Sequence, residues 1–214
     1  MKLLAHRYES RKAPLVHIDH AESGHTYFSI GRLLPLKAMR RVASPHFALI
    51  GERTGVSSTA STSGSSGQGI VHDLYQAEVT TLERIRFWLL GKTFDLVIEH
   101  CEIECAMLIG GERVVCDNLL WLRNHFGPFG IRNLVNVEIW DTHQVDERKK
   151  RILYRAGIPT IEIKTTHHLS NRTILDDLEL EALRAEIRQH LNQLGRVEPT
   201  VVPWNMKLSN FYQG

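Results

Sequence analysis

Two stretches decide the architecture: Arg113-Val114-Val115-Cys116-Asp117-Asn118-Leu119-Leu120-Trp121-Leu122, and Leu134-Val135-Asn136-Val137-Glu138-Ile139-Trp140. Both are short and rich in β-branched and aromatic residues, which is the signature of strands. Each carries an acid among apolar neighbours. Strand side chains alternate with period two, so Asp117 shares its face with Val115, Leu119 and Trp121, and Glu138 lies with Leu134, Asn136 and Trp140. An unpaired buried charge is costly, so acids on such faces point to pairing or metal ligation.

Working outward, Gly110-Gly111 joins Phe94–Leu108 to Arg113–Leu122 as a hairpin. Upstream, Leu74, Leu82, Ile85 and Leu89 form one stripe of a helix expected over 71–90 and stopped by Gly91. Glu78 falls inside that arc and is expected to face the sheet, whereas Glu83 lies off it. Downstream, a second helix opens at Asp141 or Thr142 and stops at Gly157, with Val145, Ile152, Leu153 and Ala156 as its apolar arc. Lys149 sits near the centre of that arc, and Lys150 and Arg151 turn away. Pro159 opens a strand over Thr160–Lys164, and a last amphipathic helix covers 176–194 with Leu180, Leu183, Ile187, Leu191 and Leu194 on one face. Helix, hairpin, strand, helix, strand, helix is the order of an α/β mixed sheet flanked by helices, with a right-handed strand-helix-strand crossover.

The first fifty residues read as short extended pieces, such as Leu15-Val16-His17-Ile18 and Thr26-Tyr27-Phe28-Ser29-Ile30, and are expected to form a small β-rich appendage. Residues 55–69 are almost only Ser, Thr and Gly, too polar to offset their ordering entropy. The expected division is a module over 1–54, a flexible linker over 55–69, the main domain over 70–198 and a C-terminal tail over 199–214.

The chain has 214 residues, with 26 basic against 24 acidic side chains and a net charge of +2. That balance excludes a strongly basic coat protein and an acidic solvating tail. No apolar run approaches the roughly 18 to 20 residues a bilayer crossing needs, and Met1 to Arg7 is too short and too soon polar for a signal peptide. A cytoplasmic protein without a membrane partner is expected. Cys101, Cys105 and Cys116 lie in strand-like runs and read as reduced core thiols, with Cys101 and Cys105 on one strand face beside Glu99. Phosphate-cradling, nucleophile-elbow and dinucleotide motifs are absent from the sequence. Arg32, Lys37, Arg40 and Arg41 in the appendage, and Arg148, Lys150 and Arg151 in the second helix, are candidates for phosphate contacts or for a solvated face.

Glu78, Asp117, Glu138 and Lys149 are thus four polar groups expected to converge on one sheet. Two acids on adjacent strands, a third on a packing helix and a nearby cation suit Mg²⁺, a hard ion that takes oxygen ligands. Such an ion can polarise a phosphodiester and activate water, with Lys149 orienting the water or balancing charge on phosphorus oxygens. The competing explanation is a buried ion-pair cluster that only fixes the fold.

Asp117 followed 21 positions later by Glu138-Ile139-Trp140 on a strand, then a helix, resembles the PD-(D/E)xK nuclease core. The longer run Val137 to Asp146, then Lys149 and Gly157-Ile158-Pro159-Thr160-Ile161-Glu162-Ile163, resembles the nuclease domain of CoiA-like competence proteins. The resemblance implies a restriction-endonuclease-like fold. It implies Asp117 and Glu138 as ligands of Mg²⁺ or Mn²⁺, Glu78 as an additional acid and metal ligand, and Lys149 as a displaced catalytic lysine. His143 would assist as ligand or proton carrier, or else cap the helix. Upstream, Ser44-Pro45-His46-Phe47-Ala48-Leu49 keeps part of the family's His-Phe-Ala-His ending, and His72 opens the first helix. Residues 1–100 contain no cysteine, so the module is a degenerate zinc-ribbon-like unit for which no structural zinc is expected.

The implied activity is hydrolysis of nucleic acid, with DNA as the expected partner, in DNA processing, competence or defence; a protein partner or homodimer is left open. Trp140 stands where the motif has Lys, and an indole supplies no cation. The alternative is therefore a nucleic-acid-binding or assembly module that has lost hydrolysis. A second register, Asp141 with Glu162-Ile163-Lys164, repeats the 21-residue spacing and spells Glu-x-Lys literally.

Overall fold

A computed structural model describes residues 3–50, 69–89, 92–123, 133–140, 146–166, 176–193 and 201–203. The N-terminal part contributes β1 (Leu4–His6), β2 (Leu15–His17), β3 (Thr26–Phe28), β4 (Pro35–Met39) and β5 (His46–Leu49), forming an antiparallel sheet in the order β2-β1-β3-β4-β5. There follow α1 (Ile70–Val79), β6 (Arg84–Leu89), β7 (Lys92–Ile109), β8 (Glu112–Leu122), β9 (Leu134–Trp140), α2 (Glu147–Arg155), β10 (Thr160–Lys164), α3 (Asp177–Gln193) and β11 (Val201–Pro203). These strands make a second sheet in the order β11-β10-β9-β8-β7-β6, antiparallel except where β9 and β10 run parallel across α2. The expected α/β class with a mixed sheet and a small β-rich N-terminal unit is what forms. Among the described residues no helix is long and apolar enough to cross a membrane.

Local chemistry explains the element ends. Gly110 (φ +57°) and Gly111 (φ +84°) form the two-residue turn that closes β7 onto β8 at Ile109 and Glu112, a conformation that favours glycine. The α2 helix stops at Gly157 (φ +67°), where Ile158 N–H donates to the Leu153 carbonyl and Gly157 N–H to that of Tyr154, the paired bonds of a Schellman ending. Asp176 caps α3 by accepting from the N–H groups of Leu178 and Glu179, while the Glu179 carboxylate accepts from Asp176 N–H.

Three expectations are corrected. The helix expected over 71–90 ends at Val79. The Thr80 and Thr81 hydroxyls donate to the Ala77 and Glu78 carbonyls, and Arg84–Leu89 leaves as a strand paired with β7 through Ile85 and Leu96. An apolar spacing compatible with a helix is here divided between a helix and an alternating strand, because sheet pairing outweighs local propensity. Within the stretch expected to be a tail, Val201–Pro203 pairs with β10. Cys101 and Cys105 do not share a core: Glu104 between them has φ +48°, which breaks the alternation, so Cys101 packs with Leu120 and Val137 while Cys105 packs with Cys116, Leu119 and Ile152. All three thiols are buried and none is joined to another. Glu99 is exposed.

The two faces of the larger sheet carry separate cores. Val135, Val137, Ile139, Ile161 and Ile163 meet Leu74 of α1 and Leu180 and Ile187 of α3, whereas Leu119 and Leu134 pack with Ile152 and Leu153 of α2. The N-terminal module keeps its own core around Ala5, Val16, Tyr27, Leu36 and Phe47. Alternation turns Leu4 and Leu15 the other way, into the core of the larger sheet, so module and sheet share apolar side chains. Gly31 (φ +87°) lies against β7, where an added Cβ would sit 2.9 Å from the Ile103 side chain. The Gly31→Ala variant therefore combines a left-handed backbone with a steric clash and should lose about 1–3 kcal/mol, measured as a lower urea midpoint.

His6 and His17 project from the same side of β1 and β2 as Leu4 and Leu15, and both are buried. Burial lowers the His6 pKa, helped by the Arg184 and Arg11 charges and opposed by its 3.1 Å bond to the Ala13 carbonyl. Burial also lowers that of His17, with Asp19 opposing and His20 adding to the shift. The folded pKa values lie below the unfolded value of 6.5, so as pH falls the unfolded chain takes up these protons first. Their stabilisation is complete above that value and is lost as pH drops through it toward the folded pKa. Between about pH 7.5 and 5.5, denaturation midpoints should fall less steeply in His6→Asn than in the unsubstituted chain.

Candidate active site

The pairing of β8 with β9 covers Asn118 to Trp121 against Val137 to Leu134 and then ceases. Beyond it Glu138 to Trp140 continue beside β10, and Glu112 to Asp117 run beside β7. At this fork, carboxylates replace carbonyls as acceptors for the main chain. Asp117 Oδ2 accepts from Ile139 N–H at 2.9 Å, and Glu138 Oε1 accepts from Asp117 N–H at 3.4 Å. Across the other edge of β8, Glu104 sits between the Ile103–Asn118 and Cys105–Cys116 pairs. A left-handed non-glycine residue costs on the order of 1–3 kcal/mol, and this one lies at the level of Asp117. The ladder is thus interrupted on both sides of that aspartate.

Two helices supply the counter-charges. His72 of α1 meets Asp117 Oδ2 through Nε2 at 3.2 Å, and Gln76, one turn on, donates to the Asp117 carbonyl at 3.2 Å. Asn118 Nδ2 donates back to the Gln76 carbonyl at 3.1 Å, tying α1 to β8. Lys149 of α2 donates to Glu138 Oε2 at 2.5 Å, and Asn136 Nδ2 donates to Glu138 Oε1 at 2.7 Å. Glu138 is almost sealed, at 4% side-chain exposure, while Asp117 at 15% and Lys149 at 21% reach solvent. Asp117 Oδ1 makes no hydrogen bond among the described residues.

Burial and the Asp117 charge push the Glu138 carboxyl up to about 7, against the pull of Lys149 and Asn136. Folded Glu138 therefore holds its proton more tightly than the unfolded chain, a contribution that is full below about pH 4.5 and lost as pH rises through about 7. Burial works to raise Asp117, but His72, Lys149 and the Ile139 N–H outweigh it and hold that carboxyl below the usual range. His72, despite burial, is pushed up to about 10 by Asp117 and Asp73. Lys149, although half-buried, is raised by Glu138 and then Asp117.

Asp117, Glu138 and Lys149 are therefore brought together as expected. Glu78 is elsewhere: fully buried, it bonds Arg184 at 2.5 Å and Arg188 at 3.4 Å, both on α3. The arc that had suggested it faced the sheet was drawn through Ile85 and Leu89, which belong to β6. His143 and Asp141 lie outside the described residues. Glu162 is buried beside Glu138 in the β9–β10 register, and Lys164 reaches over the Trp140 ring, 5.1 Å from its centroid. Lys150, expected to turn outward, is buried and bonded to Glu147.

The groups that sequence reasoning missed are His72 as a site residue, Gln76, Asn118 and Asn136. Asn136 was accessible to it, as a second polar residue on the Glu138 face. His72 and Gln76 needed the packing of α1 to be known. Among the described residues no group of three or more His, Cys, Asp or Glu side chains is arranged as a metal ligand set. Two adjacent carboxylates with one free oxygen still fit Mg²⁺, which is commonly held by one or two protein carboxylates, waters and substrate phosphates.

No protein-family model, curated protein or solved structure matches the chain. Because Glu78 is fully buried against Arg184, itself only 3% exposed, Glu78→Gln should lower unfolding free energy by about 3–5 kcal/mol in denaturant titrations.

Proposed function

We propose that this chain is a divalent-metal-dependent nuclease of the PD-(D/E)xK type, hydrolysing phosphodiester bonds of nucleic acid, with DNA as the substrate class, on a restriction-endonuclease-like sheet. The observation that carries this reading is the meeting of Asp117 and Glu138 at the fork of β8 and β9, with Lys149 on Glu138. Asp117, through its free Oδ1, and Glu138 are the residues that would hold Mg²⁺ or Mn²⁺. When bound, such an ion polarises a phosphoryl oxygen and lowers the pKa of water.

The remaining work falls to the chain's own groups. Lys149 brings a cation to the edge of the carboxylate pair, where it can neutralise charge growing on a phosphate oxygen. His72 and the Ile139 N–H hold the Asp117 carboxylate in one orientation, and Asn136 does the same for Glu138. Trp140 at the third motif position supplies no charge, so the lysine function passes to α2. A second reading, a nucleic-acid-binding or assembly module without hydrolysis, is favoured by one specific observation: each carboxylate already has a basic partner, Asp117 in His72 and Glu138 in Lys149.

Cleavage of labelled single- and double-stranded DNA across a Mg²⁺ and Mn²⁺ titration separates the two. Asp117→Ala and Glu138→Ala are expected to lose about 100-fold or more in rate while keeping the unsubstituted circular dichroism spectrum, and Lys149→Ala to lose a comparable factor. Nucleic-acid binding without cleavage in either metal selects the module. Loss in Lys164→Ala with full activity in Lys149→Ala moves the chemistry to Glu162 and Lys164.

A further inference from the structure

One flank of α2, beside its core-facing arc, carries Arg148, Arg151 and Arg155 around a cleft of about 270 Å³, with Ile152 and Glu112 completing its walls. From the geometry we infer that this cleft is a contact for the sugar-phosphate backbone of nucleic acid; the inference deepens the nuclease reading and rests on it for the choice of polymer. Positions 148, 151, 152 and 155 recur at helical spacing, so the three guanidinia form one stripe along the helix. Seven residues at 1.5 Å each make that stripe about 10 Å long. Along a duplex axis each strand presents one phosphate per about 3.4 Å, so the stripe meets at most about three of one strand.

The charges are not balanced from within. Glu112 takes Arg148, through Nε at 2.9 Å and Nη2 at 2.8 Å, and holds it against the β7–β8 hairpin. Arg151 and Arg155 are exposed and have no carboxylate partner among the described residues. Like charges four residues apart disfavour a helix, so the pair is accommodated best with an anion between them. The cleft is smaller than the pockets that enclose drug-sized ligands, while a phosphate with its sugar needs only a small apolar wall, here Ile152, and flanking guanidinia. The position also fits. Lys149 follows Arg148 directly and points about a quarter-turn round the helix to Glu138, so a strand lying on the stripe leads to the carboxylate pair. In the N-terminal module, by contrast, Arg32 is engaged by Glu102 and Arg40 by the Ala21 carbonyl.

The test is fluorescence anisotropy of the full chain with a labelled DNA duplex of about 20 base pairs and with its single strands, in EDTA so that nothing is cleaved, over a series of salt concentrations. Arg151→Glu/Arg155→Glu should raise Kd at least about 10-fold near 100 mM salt and flatten the slope of log Kd against log salt by about 2, while Arg151→Lys/Arg155→Lys retains most of the affinity. Lys12→Glu/Arg123→Glu, the same change in net charge at exposed positions away from the cleft, should leave Kd within about twofold. Unchanged binding in the Arg151/Arg155 reversal, or an equal loss in the Lys12/Arg123 reversal, overturns the inference. So does a chain that binds polyglutamate but not DNA through these arginines, which would make the cleft an acidic-protein site. Cleavage assays in Mg²⁺ keep the two readings apart. Normal cleavage with arginine-independent binding refutes the cleft and leaves the nuclease reading standing; arginine-dependent binding without cleavage in any divalent metal does the reverse.

Discussion

Asp117 and Glu138 face each other across a fork in the sheet, 15% and 4% exposed, and two carboxylates so placed repel strongly. The rest of the architecture can be traced to how that repulsion is offset. The Ile139 and Asp117 N–H groups turn to carboxylate oxygens where ladder pairing ends, α1 brings His72, α2 brings Lys149, and Asn136 adds a second donor to Glu138 Oε1. Each helix is anchored on its own side of the sheet by a separate apolar core, so the two cations approach from different elements and cannot trade places. Hydrogen bonds to charged groups in a sheltered site are stronger than those in water, which is why five of them can hold an arrangement that two acids alone would disrupt.

The chain uses buried acids in two distinct ways. Glu78 has no contact with solvent, and its carboxylate is enclosed by Arg184 and Arg188, which joins α1 to α3. Asp117 keeps one oxygen without a protein donor and stays partly accessible. Burial alone does not separate a structural acid from a reactive one. The spare lone pair and the path to solvent do, and on both counts Asp117 is the group suited to an outside ligand.

The N-terminal module and the larger sheet are joined by apolar side chains. Period-two alternation divides β1 and β2 between two cores, with Ala5 and Val16 facing inward to the module and Leu4 and Leu15 facing the larger sheet. His6 and His17 lie along the same seam, and Gly31 lets the backbone come close to Ile103 where a side chain would collide. Parts separated in sequence by a Ser/Thr/Gly-rich stretch therefore share a packed boundary.

Read from sequence alone, the chain already discloses the strands around Asp117 and Glu138, the glycine turn that closes the hairpin, the strand over Thr160–Lys164, the last helix, and the inward lysine on the second helix. These are local properties, written in alternation, helical spacing and turn chemistry, and β9 and β10 run over the expected residues. The division of 71–90 into α1 and β6, the commitment of Glu78 to α3, the recruitment of His72 and Gln76, and the separation of Cys101 from Cys105 belong to the tertiary structure. Each depends on partners distant in sequence: Asp117 lies 45 residues from His72, and Glu78 lies 106 residues from Arg184. Periodicity tells which way a side chain leaves its own element, but the charge it meets is set by packing between elements, and that is a property of the folded whole.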